Sequence, residues 1–260
     1  MAVSSPSMLS RDYRPYEFFE STHTRPYGII VLNYSSESLR NLLTKDLWTR
    51  AMARACADGG ANMLRRHADD INERLLPNYI SGDFDSIDEQ TLRYYKSEPQ
   101  VEFIRTQDQN ATDFNKCVRL TMEKHRTMEH LLVFCSLGGR FDHSMGIIHT
   151  LFILNDAYPN LQIYLLAEQD ITCLLKSNHK NRIHVQSTYS GRICSLLPFG
   201  QSARVRTHGL QWNLDSSQEL SFTKLISSSN TYESVTTAYV DVETDKDIIW
   251  TMTYRCEKRT

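Results

Sequence analysis

The sequence has almost no net charge, no long apolar run and no closely paired cysteines, and each lack removes a class of function. Lys and Arg number 29 against 31 Asp and Glu in 260 residues, a formal net charge of −2. Neither nucleic acid nor an anionic membrane surface is therefore expected as the main partner. No stretch approaches the roughly 18 consecutive apolar residues of a membrane-spanning helix. Residues 1–26 lack the continuous apolar core of a signal peptide and are expected to form a polar, mobile extension. The six cysteines, at 56, 117, 135, 173, 194 and 256, contain no CxxC pair, and Cys135, Cys173 and Cys194 sit inside apolar runs. Buried free thiols are expected rather than disulfides or metal ligands, which implies a reducing, cytoplasmic setting. There is no GxxxxGK[ST], which excludes a P-loop, and no GxGxxG after the first strand-like run, which argues against a dinucleotide site. Internal repeats and low-complexity tracts are absent as well.

What is present is ordinary globular material, 40% apolar and 23% charged, enough for one large domain or two modest ones. GIIVLNY (28–34) suits a buried parallel strand, RACADGG (54–60) reads as a second strand ending in a glycine turn, and VEFIRT (101–106), HLLVFCSLGG (130–139) and LQIYLLAE (161–168) as three more. Between them, Leu39, Leu42, Leu43 and Leu47 recur at helical spacing with Ser35 and Ser36 as caps. Leu64, Ala68, Ile71 and Leu75 do the same, and helices are predicted near 113–125 and 142–155. This alternation predicts an α/β domain over 27–172, an open, mostly parallel sheet with helices on both faces. From about 170–182 onward the helical spacing stops. ITCLLKS, RIHVQS, GRICSLLPFG, ARVRTHGL, ELSFTKL, VTTAYVDVE and the alternation of Ile248, Trp250, Met252 and Tyr254 predict an all-β sandwich or partial barrel over 180–260.

Four polar clusters follow the predicted strands: CADGGAN (56–62), SGDFDSI (81–87), RTQDQNATDFNKC (105–117) and SLGGRFDH (136–143). In open α/β sheets ligands bind beyond the carboxyl ends of the strands. Taken singly, the clusters have bland readings. Asp113 or Asp142 at a helix start is usually a cap, Gly-Gly after a strand is usually a turn, and a lone Asp-x-Asp is weak. Together, Asp58, Asp83, Asp85, Asp113 and Asp142 would concentrate negative charge in one crevice, which is costly without cations. On an extended backbone Asp83 and Asp85 would share a face about 7 Å apart. Mg²⁺ suits such a set, since it takes carboxylate and water oxygens and is completed by substrate phosphates. Lys116 and Arg140 would add positive charge for phosphate oxygens. The residues alone therefore point to a Mg²⁺-dependent enzyme acting on a nucleotide phosphate.

The ordered set ADGGAN, SGDFDSI, DQNATDFNKC, GGRFDH, GLQWNL (209–214) and SSSNTY (227–232) resembles thiamin pyrophosphokinases of the eukaryotic type, over residues 28–254. The resemblance implies an α/β catalytic domain, a thiamin-binding β-sandwich and a homodimer whose subunits share the active site. It implies transfer of the pyrophosphoryl group of ATP to the hydroxyl of thiamin, giving thiamin diphosphate and AMP. It would place Asp58, Asp83, Asp85, Asp113 and Asp142 in a Mg²⁺–ATP site, with Asp83, Asp85, Asp113 and Arg140 catalytic and Asp113 as proton acceptor. Lys116, Gly138, Gly139, Arg140 and Asp142 would meet ATP phosphates. Gln109, Thr112, Trp212, Ser229 and Asn230 would contact thiamin, Trp212 by its ring and Ser229 and Asn230 at the aminopyrimidine. The bland reading of Trp212 is a core aromatic, and Trp250 is expected in the core. His143 and His149 stand where related sequences carry Gln and Asn. Three rivals remain: a metal-dependent glycosyltransferase, a haloacid-dehalogenase-type phosphatase, whose DxDx[TV] motif is missed at Ile87, and a non-catalytic sensor.

Overall fold

The computed structural model describes residues 9–33, 37–108 and 110–255. Two compact units emerge, residues 18–170 and residues 1–17 together with 171–260.

In the first unit six strands lie in parallel: β2 (Tyr27–Val31), β3 (Ala53–Ala57), β4 (Tyr79–Gly82), β5 (Glu102–Arg105), β6 (His130–Phe134) and β7 (Gln162–Ala167). Their spatial order is β7-β6-β2-β3-β4-β5, with β2 paired to β6 on one side and to β3 on the other. Every residue of β2 and β6 is buried, the composition expected of strands covered on both faces. The switch in strand order between β2 and β6 marks where a crevice opens beyond the carboxyl edge.

The helices follow the predicted spacing with three differences. The Leu39–Leu47 stretch is two short helices, α1 (Glu37–Leu42) and α2 (Lys45–Arg50), because Thr44 Oγ1 accepts from Leu47 N at 3.0 Å and caps a new helix. The proposed caps Ser35 and Ser36 lie outside the described residues. α3 (Gly60–Asp70) stops before Ile71, so Leu75 does not extend its face. α4 (Glu89–Lys96), capped by Asp88, occupies a stretch the spacing left unassigned. α5 (Asp113–Lys124) and α6 (Phe141–Ala157) stand close to their expected places.

The second unit is all-β. One sheet runs β1 (Leu9–Tyr13), β9 (His179–His184), β14 (Tyr239–Thr244), β11 (Ala203–His208), β12 (Asp215–Leu220). A second group runs β13 (Ser227–Thr231), β10 (Ser190–Leu197), β15 (Ile248–Tyr254), β8 (Asp170–Leu175). Trp250 is fully buried, as its alternation requires. The strand sought in ELSFTKL lies earlier, at Asp215–Leu220, and Ser221 turns the chain back by bonding Leu225 O at 2.8 Å.

The N-terminal stretch differs from the mobile extension expected. Residues 9–13 pair in parallel with β9, and Tyr13 is buried with its hydroxyl donating to Leu174 O at 3.1 Å. Tyr16 likewise donates to Thr253 O at 2.8 Å. Leu9 and Ser10 face outward there, and the buried aromatics Tyr13, Tyr16 and Phe18 anchor an otherwise polar segment.

Candidate active site

The first unit brings its strand ends together through two glycines. A Cβ at Gly60 would come 2.0 Å from Val31 O, so only glycine lets α3 start against β2. A Cβ at Gly82 would come 2.8 Å from Asp58 Cβ, which sets β4 directly beside the end of β3. Asp58 itself has φ 44, a conformation that Asp tolerates better than most residues, and its N–H bonds Ser81 O at 2.8 Å.

One carboxylate oxygen each from Asp58, Asp83 and Asp85 lie within 4.8 Å of one another. The route is not the extended one expected. Phe84 adopts φ 69 and turns the chain, with its ring edge-on to Phe103 at 5.6 Å. That turn folds Asp85 N back onto Asp83 Oδ1 at 3.2 Å, while Ser86 Oγ donates to Asp85 Oδ1 at 3.0 Å. Asn62, a buried amide to which the sequence reading gave no role, secures the turn. Its Nδ2 donates to Ser86 O at 2.8 Å and its Oδ1 accepts from Asp88 N at 3.0 Å. The only sequence signal for it was its place at the end of ADGGAN.

Asp58 is buried, and its Oδ1 has no hydrogen-bond partner among the described residues. Burial, and then the neighbouring Asp113, Asp83 and Asp85, push its carboxyl up to about 6 against a hydrogen bond from Ser86. A buried, unpaired carboxylate oxygen beside two further carboxylates is a donor set that fits a hard divalent cation with oxygen ligands.

Beside this trio lies a cavity of about 680 Å³, lined by Asp58, Asp113, Gly138, Gly139, Arg140 and Asp142 among others. The volume falls in the range of roughly 300–1,000 Å³ usual for small-molecule sites. The helix starts do not carry their aspartates as caps. Thr112 caps α5, its Oγ1 accepting from Asn115 N at 3.1 Å and meeting Thr150 Oγ1 at 3.0 Å. Asp113 instead pairs with Lys116 Nζ at 2.7 Å. At α6 the capping position belongs to Arg140, which makes no side-chain cap bond. Its Nε and Nη2 reach the two oxygens of Asp142 at 3.1 and 2.5 Å. Both cations therefore already hold carboxylates of the same cavity wall. His143 lines the cavity, whereas His149 is exposed on α6.

In the second unit Trp212 is 62% exposed and so is not a core aromatic. Ser229 is exposed with φ 58, its N–H directed at Ser195 Oγ at 3.3 Å. Asn230 is buried, and its amide is committed within the chain. Nδ2 donates to Trp212 O at 2.9 Å and Ser227 Oγ at 3.2 Å, while Oδ1 accepts from Thr231 N at 2.8 Å and Trp212 N at 3.4 Å. Gln109 lies outside the described residues.

Comparison with known proteins places these features in a family. The family model for thiamin pyrophosphokinase, catalytic domain, matches residues 44–165, and that for thiamin pyrophosphokinase, vitamin B1 binding domain, matches residues 180–249. Thiamine pyrophosphokinase 3 of Oryza sativa subsp. japonica is 36% identical over 243 residues, 88% of this chain and 87% of its own. Thiamine pyrophosphokinase 1 of Arabidopsis thaliana is 36% identical over 249 residues, 90% of this chain and 88% of its own. The crystal structure of yeast thiamin pyrophosphokinase superposes with a TM-score of 0.79 at 25% identity, covering 100% of this chain and 96% of its own. Two domain matches in the order of the two units, and two relatives alike over nearly their whole length, make this chain a member of the thiamin pyrophosphokinase family.

Proposed function

We infer that this chain transfers the pyrophosphoryl group of ATP to the hydroxyl of thiamin, forming thiamin diphosphate and AMP. The observation that carries the reading is the convergence of Asp58, Asp83 and Asp85 beside a cavity at the carboxyl edge of the sheet, in a chain of this family.

Asp58, Asp83 and Asp85 would hold Mg²⁺, with Asp113 and Asp142 facing the same nucleotide. The ion would neutralise charge on the phosphate oxygens when bound, so that the protein's own part is mostly positioning. Lys116 and Arg140 exchange their carboxylate partners for phosphate oxygens as ATP enters, since a charged donor keeps a charged acceptor throughout. Gly138 and Gly139 let the backbone approach the phosphates. Asp113 accepts the proton of the thiamin hydroxyl as its oxygen attacks the β-phosphorus and AMP departs. Thr112 is spent on capping α5, so its part is to orient Asp113 rather than to grip substrate.

Thiamin stacks on the exposed ring of Trp212, with Ser229 and Gln109 as polar contacts. Asn230 holds the Trp212 loop, because its amide is already committed. A homodimer in which a second copy completes the site is supported by so large an exposed aromatic. A cytoplasmic location is supported by the free, buried thiols of Cys56, Cys117, Cys173 and Cys194. Among the described residues no helix is long and apolar enough to cross a membrane.

The deciding experiment measures AMP formation from Mg-ATP with and without thiamin, followed by mass identification of the vitamin product. AMP that appears only with thiamin, and a product heavier by a diphosphate, is the expected result. Inorganic phosphate released without thiamin would instead support the phosphatase reading, and binding without turnover the sensor.

A further inference from the structure

The loop that carries Gly139 and Arg140 is held by a side chain that no motif marks. Glu168 follows β7, half buried and at φ 32. Its Oε1 accepts from Ser136 Oγ at 2.5 Å and from Gly138 N at 3.4 Å, and its Oε2 accepts from Leu137 N at 3.2 Å. Ser136 Oγ in turn accepts from Gly138 N at 3.2 Å. A Cβ at Gly138 would touch Glu168 Oε1 at 3.4 Å, whereas one at Gly139 would meet nothing within 4 Å. Gly139 thus has no neighbour to fix it by packing, and the loop before it is tied by this charged acceptor from the neighbouring strand end and by Ser144 Oγ, which donates to Leu137 O at 2.9 Å. Hydrogen bonds to a carboxylate are among the stronger kind.

We propose that Glu168 is a positioning residue. Its carboxylate fixes the Ser136–Gly138 loop so that Gly139 and Arg140 meet the nucleotide phosphates, and it does not touch the nucleotide itself. The Leu137 and Gly138 N–H groups, being already engaged, are not phosphate donors, which leaves the phosphate charge to Lys116 and Arg140. The proposal rests on reading the adjoining cavity as the ATP site.

A second anion near phosphate would weaken ATP binding if it acted through charge alone, so positioning and charge predict opposite signs. The test measures Mg-ATP affinity by calorimetry on the full chain without thiamin, for wild type, Glu168→Ala and Glu168→Gln. Amide hydrogen exchange at Leu137 and Gly138 is followed in the same samples. Positioning predicts affinity reduced on the order of tenfold in Glu168→Ala, partial recovery in Glu168→Gln, which keeps one acceptor, and faster exchange at both amides. The thiamin KM is expected to stay unchanged in turnover assays of the same variants. Tighter ATP binding in either variant, unchanged affinity, or lowered Tm with unchanged affinity would each overturn the proposal. If wild type binds ATP and the variants match it, only this inference falls. If wild type neither binds ATP nor makes thiamin-dependent AMP, the reading of the cavity falls with it.

Discussion

Asn230 grips Trp212 on both sides of its residue, donating from Nδ2 to Trp212 O at 2.9 Å and accepting Trp212 N at Oδ1 at 3.4 Å. An exposed aromatic ring is thereby mounted on a buried amide, which fixes the backbone while leaving the ring open to a ligand.

Trp48 and Trp250 are buried and Trp212 is exposed, so acrylamide quenching reports on Trp212 alone. Thiamin is expected to protect this fluorescence from the quencher, and Trp212→Phe to abolish the protected signal. Asn230→Ala is expected to raise the thiamin KM, leave the ATP KM unchanged and cost about 1–3 kcal/mol, because it strands buried backbone groups. A raised ATP KM in that variant would contradict the assignment.

Asp58 is held against repulsion, and its removal separates stability from activity. Asp58→Asn keeps the shape and the tolerated positive φ but removes a buried charge that faces Asp83, Asp85 and Asp113. The wild-type carboxyl has its folded value raised to about 6, so its contribution to stability is favourable in acid and is lost as pH rises through 6. Metal-free Asp58→Asn is therefore expected to melt higher than wild type above pH 6, by about 1 kcal/mol after allowance for solvent screening. The difference should close toward pH 4, while turnover is lost throughout. Equal melting temperatures at pH 8 would refute the repulsion argument.

Asp85 sits beside Asp58 on an exposed turn and Asp113 lines the cavity from a helix start, so their loss should spare the core. Asp85→Asn and Asp113→Asn are each expected to reduce kcat by at least about 10²-fold, with circular dichroism and Tm near wild type. Chelation of divalent ions should silence the wild-type enzyme, and Mg²⁺ should restore it. Near-normal kcat in either variant would remove that residue from the site.

In the β-unit, Arg182 Nε and Nη2 reach the two oxygens of Asp241 at 2.7 and 2.9 Å, from facing positions of β9 and β14. The hydrogen bond and charge of Arg182 hold the Asp241 carboxyl below its ordinary value despite partial burial. A depressed carboxyl contributes stability above the unfolded-chain value, and this is lost as pH falls through the folded one. Asp241→Asn is expected to cost roughly 1 kcal/mol at pH 7, with the gap to wild type narrowing below about pH 4. Thermal melts across pH 3–7 would show a constant gap if the pair contributed only by packing.

The residues determine much of this protein locally. Strands β2, β6 and β7 could be found because a strand buried on both faces is mostly apolar, and Asp58 and Asp83 because each stands directly after a strand end. Trp250 declared itself by alternation. Tertiary structure decided what depends on partners far along the chain. Tyr13 finds Leu174 across 161 residues, a contact no local pattern encodes, so a polar N-terminal stretch conceals a strand. Phe84 leaves the extended path at φ 69 because Asn62 and Phe103 hold the turn from two other elements. Asn230 and Glu168 show the same division: a sequence places an amide or a carboxylate near a site, but hydrogen-bond partners brought by the fold decide whether it meets the ligand or holds the loop that does.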